Sequence, residues 1–328
     1  MKRATYAQNG TPANVVTLEA VDLPQPGSGE VRLSIERAPI NPSDLLQVQG
    51  LYGIRPPLPA VPGNEGIGRV TALGDGVTGV VVGQLVIAPA GGGTWQEQVI
   101  ANAAGLVPLP EGDLDQLAMI TVNPPTAFLL LDDFVDLQAG DWVIQNAANS
   151  AVGGYVVQLA AERGVRTINI VRREGAVAPL KALGADVVLV DGPDLGAQVR
   201  AAIGDGKLRL GLDAVGGPVF GVMADLLSPG GVMVSYGSMS GQPATLSAVA
   251  TIFRDVTVKG FWLARWFERA DQARKAEVFG NLIMRIAKGA LSTKVEAVYP
   301  LEEITQALTH AAQGERTGKV LLAPAAKG

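Results

Sequence analysis

The 328-residue sequence has no cysteine and one histidine. The first absence removes disulfides, thiolate nucleophiles and Cys-ligated metals. The second leaves no His/Cys cluster for zinc and only His310 to serve a Ser-His-Asp triad, a role its place in a helical pattern speaks against. His310 itself lies in "EEITQALTHAAQGE", an amphipathic helical pattern in which a lone histidine reads as a solvated or core residue. Charged residues are only 17% of the chain and the formal net charge is −5, which argues against nucleic acid as a main partner. No apolar run reaches the roughly 18 residues that a spanning helix needs. "MKRATYAQNG" is followed by no apolar stretch, so neither a secretory signal nor an organelle-targeting extension is expected. The expectation is a cytoplasmic protein of the bacterial soluble type, without membrane or nucleic-acid partners. Its chemistry falls to Tyr, Lys, carboxylates or a bound organic cofactor.

Apolar side chains, by contrast, are plentiful: 48% of residues are hydrophobic and the mean hydropathy is +0.25. The length exceeds the roughly 100–200 residues of one core, which predicts two domains. Residues 1–120 read as β-rich: "EVRLSIERAPI", "GIGRVTALG" and "VVGQLVIAP" are strand-like and separated by Gly/Pro clusters. This pattern predicts a closed or partly closed antiparallel barrel. From 121 to 264 strands alternate with helices: "DWVIQNA", "YVVQLAAERG", "RTINIVR", "DVVLVD". Near-continuous apolar strands between helices predict a doubly wound parallel sheet, a Rossmann-type dinucleotide-binding domain within an α/β protein. Residues 265–328 hold too few elements for a third domain and are expected to complete the first.

The strand "DWVIQNA" turns through "ANSAVGG" into a helix, the position where a dinucleotide rests its pyrophosphate on a helix N-terminus. The glycine fingerprint is imperfect, because Asn149 and Ala151 stand where glycine is usual, but Gly153 and Gly154 remain. An ordinary strand–helix turn is the alternative. At the end of the second strand, where a carboxylate would hold the ribose of NAD, the chain has Arg172 and Arg173. Guanidinium groups suit a 2′-phosphate, so NADPH is the expected cofactor. Ligands collect beyond the carboxyl ends of such strands, which nominates Tyr236, Gly237, Ser238 and Met239. The bland reading of those four is a tight turn.

In this order the segments resemble the medium-chain dehydrogenase/reductase superfamily along the whole chain. "APINPSDLLQVQGLYG", "LPAVPGNEGIG", "VNPPTAF", "VIQNAANSAVGG", "RTINIVR" and "KGFWLARW" resemble its zinc-free 2-enoyl thioester reductases, with a GroES-like catalytic domain. Where the superfamily's zinc enzymes have Cys and His, this chain has Asn41 and Asn64. The resemblance implies a proton donor at Tyr52 in "QGLYG". It implies cofactor contacts from Asn123, from Asn149, Ser150, Ala151, Val152 and Gly153, and from Arg172, Arg173 and Glu174. It extends them to Tyr236 through Met239, to Phe261, Trp262, Leu263 and Ala264, and to Lys319. Asn41, Ser43, Asn64, Trp95 and Trp262 are expected to shape the substrate pocket, and Asp44 to cap the helix that follows.

The implied reaction is NADPH-dependent reduction of an α,β-unsaturated thioester, on coenzyme A or acyl carrier protein. Hydride goes to the β-carbon and Tyr52 protonates the α-carbon; a phenol starts in its acid form at neutral pH. A quinone or enal reductase of the same fold is the alternative, and a non-catalytic NADPH-binding protein a second one. The apolar edge strand at 256–263 predicts a homodimer.

Overall fold

Alternation of apolar and polar side chains builds the first of two units. In a computed structural model that describes residues 1–89, 91–314 and 316–325, this unit comprises Met1–Val122 with the described residues from Gly280 onward. Its strands are β1 (Lys2–Thr5), β2 (Thr17–Ala20), β3 (Glu30–Pro39), β4 (Ile67–Leu73), β5 (Leu85–Ile87) and β6 (Gln98–Asn102). In β3 the alternate residues Val31, Leu33 and Ile35 are fully buried. Such alternation pins the register, since a slip by one residue would turn the apolar set outward. Burial of each of these side chains contributes about 1.5–3 kcal/mol. β3 pairs antiparallel with both β4 and β6, and β4 with β5.

The second unit, Asn123–Phe279, carries β7 (Trp142–Gln145), β8 (Arg166–Val171), β9 (Val187–Val190), β10 (Leu208–Asp213), β11 (Val232–Ser235) and β12 (Thr257–Gly260). These form one sheet in the order β12-β11-β10-β7-β8-β9, with every neighbouring pair parallel. The order reverses between β7 and β10, which is the topological switch point where ligands of doubly wound sheets bind. All four residues of β7 are buried, as a strand covered on both faces requires. Its crossover helices include Ala151–Glu162, Leu195–Ile203 and Pro218–Leu226.

The chain then returns. β13 (Val295–Pro300) and β14 (Lys319–Ala323) are parallel to each other, and β14 pairs antiparallel with the end of β3. The last strands thus complete the first sheet. The return to the first unit falls at Gly280, inside the helix Gln272–Ala287, rather than at 265. Side-chain contacts explain the difference. Phe267 stacks on Phe279 at 5.9 Å, and Arg274 pairs with Asp132 at 2.5 Å and Asp133 at 2.8 Å. Among the described residues no helix is long and apolar enough to cross a membrane.

Candidate active site

In the first unit β3 runs into Asn41, the N-cap of the helix Pro42–Val48. Asp44 accepts the Asn41 backbone N–H at 2.7 Å, the cap expected of it. The helix stops four residues before Tyr52 in a Schellman arrangement: Leu51 N–H donates to Leu46 C=O at 2.8 Å and Gly50 N–H to Gln47 C=O at 3.0 Å. Gly50 supplies the required left-handed residue at φ 75°. A side chain there would be strained, so the glycine of "QGLYG" is what turns the chain to present Tyr52. Tyr52 itself is half-buried.

Beneath this loop lies a buried polar network. Lys319 of β14 donates from Nζ to Asn41 Oδ1 at 2.5 Å and to Ile40 C=O at 3.2 Å. Asn41 Nδ2 donates to Glu65 Oε2 at 2.8 Å. Glu65 Oε1 accepts Thr121 N–H at 2.9 Å, Thr121 Oγ1 at 3.1 Å and Val122 N–H at 2.8 Å. Asp44 Oδ1 accepts Asn64 N–H at 3.1 Å and Asn64 Nδ2 at 2.7 Å. Asn64 Nδ2 also reaches Gln47 Oε1 at 2.8 Å, and Gln47 Nε2 reaches Ile54 C=O at 3.4 Å. Asn41, Asp44, Glu65 and Lys319 are each 6% exposed or less. Burial lowers the Lys319 ammonium to about 8, with Glu65 and Asp44 pulling it back up. Burial likewise raises both carboxyls, opposed by their donors and by Lys319. The positions where zinc ligands would stand are thus amides engaged with an internal ammonium and two carboxylates.

Of the other residues expected here, Ser43 is half-buried in the helix's first turn. Trp95 is fully buried in the β-rich core with Tyr6, Ile35 and Val99 around it. A Cβ on Gly63 would come within 2.5 Å of its ring. Trp95 is therefore a core side chain, and the expectation that it walls a substrate pocket is corrected.

The second unit gathers its expected residues at the carboxyl ends of its strands. Beyond β7, Ser150 caps the helix Ala151–Glu162, its Oγ accepting Gly153 N–H at 3.1 Å. A Cβ at Gly153 would lie 2.4 Å from Ala148 C=O, so only glycine lets helix and turn approach this closely. Ala151 is the first helical residue, where an alanine is accommodated. Val152 follows it half-buried, and Asn149 is exposed in the turn. Arg172, exposed, and Arg173, half-buried, follow β8, with Glu174 opening a 3₁₀ turn. Beyond β11, Tyr236 N–H donates to Asp213 C=O at 2.8 Å and Met239 N–H to Ala214 C=O at 3.0 Å. Gly237 allows that approach; its Cβ would meet Ala214 C=O at 2.8 Å. Ser238 and Met239 are exposed. The Tyr236 hydroxyl is sealed from solvent and faces Ser150 without a partner in hydrogen-bond geometry. Burial first, and the Asp213 carboxylate second, raise its pKa.

Phe261 follows β12 and meets Phe134 edge-on at 6.0 Å. Trp262 caps the helix Leu263–Arg269, which contains Ala264. Asn123 is buried as the first residue of the helix Asn123–Asp132, with Pro124 and Pro125 in its first turn.

Two groups went unread in the sequence. Asn146 Nδ2 donates to Asp213 Oδ1 at 2.6 Å at the switch point, and Ala214 N–H returns to Asn146 Oδ1 at 2.8 Å. Glu65, the hub of the first network, is the other; its signal was a lone carboxylate in "GNEG" at the entry to an apolar strand. The described residues hold no group of three or more His, Cys, Asp or Glu arranged for a metal ion.

Comparison with known proteins agrees with this layout. Residues 27–111 match the alcohol dehydrogenase GroES-like domain and residues 151–277 the zinc-binding dehydrogenase family. The mitochondrial enoyl-[acyl-carrier-protein] reductase of Rattus norvegicus is 39% identical over 94% of this chain and 84% of its own length. The mitochondrial 2-enoyl thioester reductase Etr1p/Etr2p heterodimer from Candida tropicalis is 28% identical, covers 98% of this chain and 99% of its own, and superposes with a TM-score of 0.90. The Etr1p/NADP/crotonyl-CoA complex gives the same identity, coverage and TM-score. An NADPH:quinone reductase from Bacillus thuringiensis is 30% identical over 98% of both chains, with a TM-score of 0.88. The cytoplasmic location expected from the sequence is corrected by these relatives, which are named mitochondrial in rat, cattle, human and Arabidopsis alike. The two-unit architecture, the amides in place of zinc ligands and the extent of this identity lead to one assignment: the chain belongs to the enoyl-[acyl-carrier-protein] reductase family, a zinc-free branch of the medium-chain dehydrogenase/reductase superfamily.

Proposed function

We propose that this chain reduces the carbon–carbon double bond of an α,β-unsaturated thioester with NADPH. The observation that carries the reading is in the first unit: Asn41 and Asn64 are tied into a network around Lys319, while a Schellman turn presents Tyr52. No Lewis acid is built in at those positions to polarise an alcohol or ketone, and a phenol is at hand as a proton source. Identity to enoyl-acyl-carrier-protein reductases, and likeness to a reductase complexed with NADP and crotonyl-CoA, support the same substrate class.

The second unit fits a phosphorylated dinucleotide. The helix Ala151–Glu162 opens on a close glycine turn, the buried Tyr236 hydroxyl is aimed at that turn, and Arg172 and Arg173 offer guanidinium groups to a 2′-phosphate. Asn123, Asn149 through Gly153, Glu174, Gly237 through Met239 and Phe261 through Ala264 complete the proposed cofactor set. Lys319, two of whose three donors are engaged, is kept in the proposed set. When bound, NADPH supplies the hydride for the β-carbon. Tyr52 delivers the proton to the α-carbon and regains one from solvent, so that the double bond gains two hydrogens. Asn41, Ser43, Asn64 and Trp262 shape the substrate's surroundings.

Likeness to the Bacillus thuringiensis protein supports a second reading, reduction of a quinone, for which a positioned acid is dispensable. Steady-state kinetics with NADPH on crotonyl-CoA and on benzoquinone separate the two. Tyr52→Phe should slow crotonyl-CoA reduction at least tenfold and leave quinone reduction within twofold. A silent Tyr52→Phe removes the proton-donor assignment, and activity on quinone alone moves the function to the second reading.

The chain forms a homodimer in this proposal. β12 lies at the sheet edge with all four residues exposed, and Val249, Ile252 and Phe253 of the helix Ala248–Arg254 are 55%, 70% and 78% exposed. Sedimentation equilibrium at micromolar protein should give twice the 33.9 kDa chain mass; a 33.9 kDa species would exclude the dimer.

A further inference from the structure

We propose that Glu65 is a positioning residue for proton transfer from Tyr52, because its single buried carboxylate ties the helix leading to Tyr52 to the last two residues before Asn123. This rests on the enoyl reductase reading. Glu65 is 1% exposed. Its two oxygens meet four donors from three residues in two segments. Oε2 takes Asn41 Nδ2 at 2.8 Å, and Asn41 is where β3 hands over to the helix Pro42–Val48 that ends in the Gly50 turn. Oε1 takes both donors of Thr121 and the N–H of Val122, the last residue of the first unit.

The Tyr52 loop hangs from this arrangement at both ends. Upstream, the Asn41 N–H is held by Asp44 at 2.7 Å and its Oδ1 by Lys319 at 2.5 Å. Downstream, Asp44 holds Asn64, Asn64 holds Gln47, and Gln47 reaches the Ile54 carbonyl. Only a carboxylate accepts from all sides at Glu65. An ionised acid offers about four acceptor sites and no donor, whereas an amide turns its NH₂ toward either Asn41 or the Thr121–Val122 pair. A displacement of about 1 Å in a reacting group suffices for a hundredfold loss of rate. Glu65 itself is none of the proposed cofactor contacts, so its substitution bears on the proton-transfer half of the reaction.

The test is a double-mutant cycle on crotonyl-CoA reduction with Glu65→Gln and Tyr52→Phe, together with solvent deuterium isotope effects. The expected result is a kcat at least tenfold lower in Glu65→Gln, a KM for NADPH within threefold of wild type, and a larger solvent isotope effect on kcat. Glu65→Gln/Tyr52→Phe should be within twofold of Tyr52→Phe alone, because both changes remove the same proton delivery. Losses that multiply, or an unchanged isotope effect, overturn the inference, since a purely structural role gives both. If Glu65→Gln does not fold, Thr121→Val carries the test. It removes one of the four donors and should lower kcat two- to fivefold with the same isotope signature; an unchanged isotope effect overturns the inference there too. Wild-type enzyme inactive on crotonyl-CoA defeats the function reading and this inference with it. Active wild type with multiplicative losses defeats the inference alone.

Discussion

Each unit of this molecule buries a polar network, and the two are built on opposite plans. In the second unit the members are neighbours at strand ends and chiefly amides: Gln145 Nε2 donates to Asn169 Oδ1 at 2.7 Å, and Asn146 to Asp213 at 2.6 Å. Asp213 there accepts from Val215 N–H, Gly216 N–H and Ser235 Oγ as well. Two of its cationic groups, Arg172 and Arg173, are outside the core, after a strand end. In the first unit the charges are inside, two carboxylates and one ammonium drawn from residues 44, 65 and 319. A parallel sheet satisfies its own backbone, so short amide links suffice at its ends. A loop has no ladder, and the donors of residues 41, 64 and 121–122 need acceptors that take several bonds at once. Buried carboxylates meet that need, at the cost of removing charge from water.

The contrast can be sharpened at three places, in falling order of effect. Removing the peripheral charges, as Arg172→Ala with Arg173→Ala, should weaken NADPH binding by about a hundredfold or more, since a hydrogen bond to a charged group contributes about 1.5–3 kcal/mol. NADH should change by less than threefold in fluorescence titrations; equal losses for both nucleotides would place the 2′-phosphate elsewhere.

The interior charge gives the next effect. Lys319 is held at about 8, below its ordinary 10.5, so the folded chain releases this proton first. Between those values the unfolded chain binds more protons, and the group's contribution to stability rises with pH, by up to about 3 kcal/mol. Urea unfolding at pH 7.5 and pH 10 should therefore show the stability of wild type relative to Lys319→Met increasing with pH. A difference that is flat or shrinks would mean that the carboxylates outweigh burial.

The smallest effect belongs to the amide network. Asp213→Asn keeps the shape but turns an NH₂ toward donors, and should cost about 1–3 kcal/mol by the same unfolding measurement. Unlike the Lys319 effect, this loss should hardly change between pH 7.5 and 10. A strongly pH-dependent loss would show that the two networks are not different in kind.

The regular parts of both units were legible because their rules are local. The apolar alternation of "EVRLSIE" and the buried run "WVIQ" each specify a strand, and "NPPTAF" starts a helix because proline is tolerated in a first turn. Gly50, Gly153 and Arg172–Arg173 were readable for the same reason: each answers to a turn, a close approach or a strand end. Trp95 was expected at the substrate pocket, whereas its side chain is fully buried in the core cluster of the first unit, which no short spacing reports. The boundary at 265 was missed because Phe267–Phe279 stacking and the Arg274 pairs leave no periodic trace.

By itself, then, the sequence determined the β-rich plan of the first unit, the parallel-sheet plan of the second, the glycine turn after β7, the amides at positions 41 and 64 and the tyrosine on its loop. These depend on side-chain type and short spacing. Only the tertiary structure decided that Lys319 stands against Asn41, 278 residues away, and that Glu65 gathers Asn41, Thr121 and Val122 around one carboxylate. The physical reason is that a buried charge is defined by what surrounds it: until the chain has closed on itself, Glu65 is one more carboxylate in water.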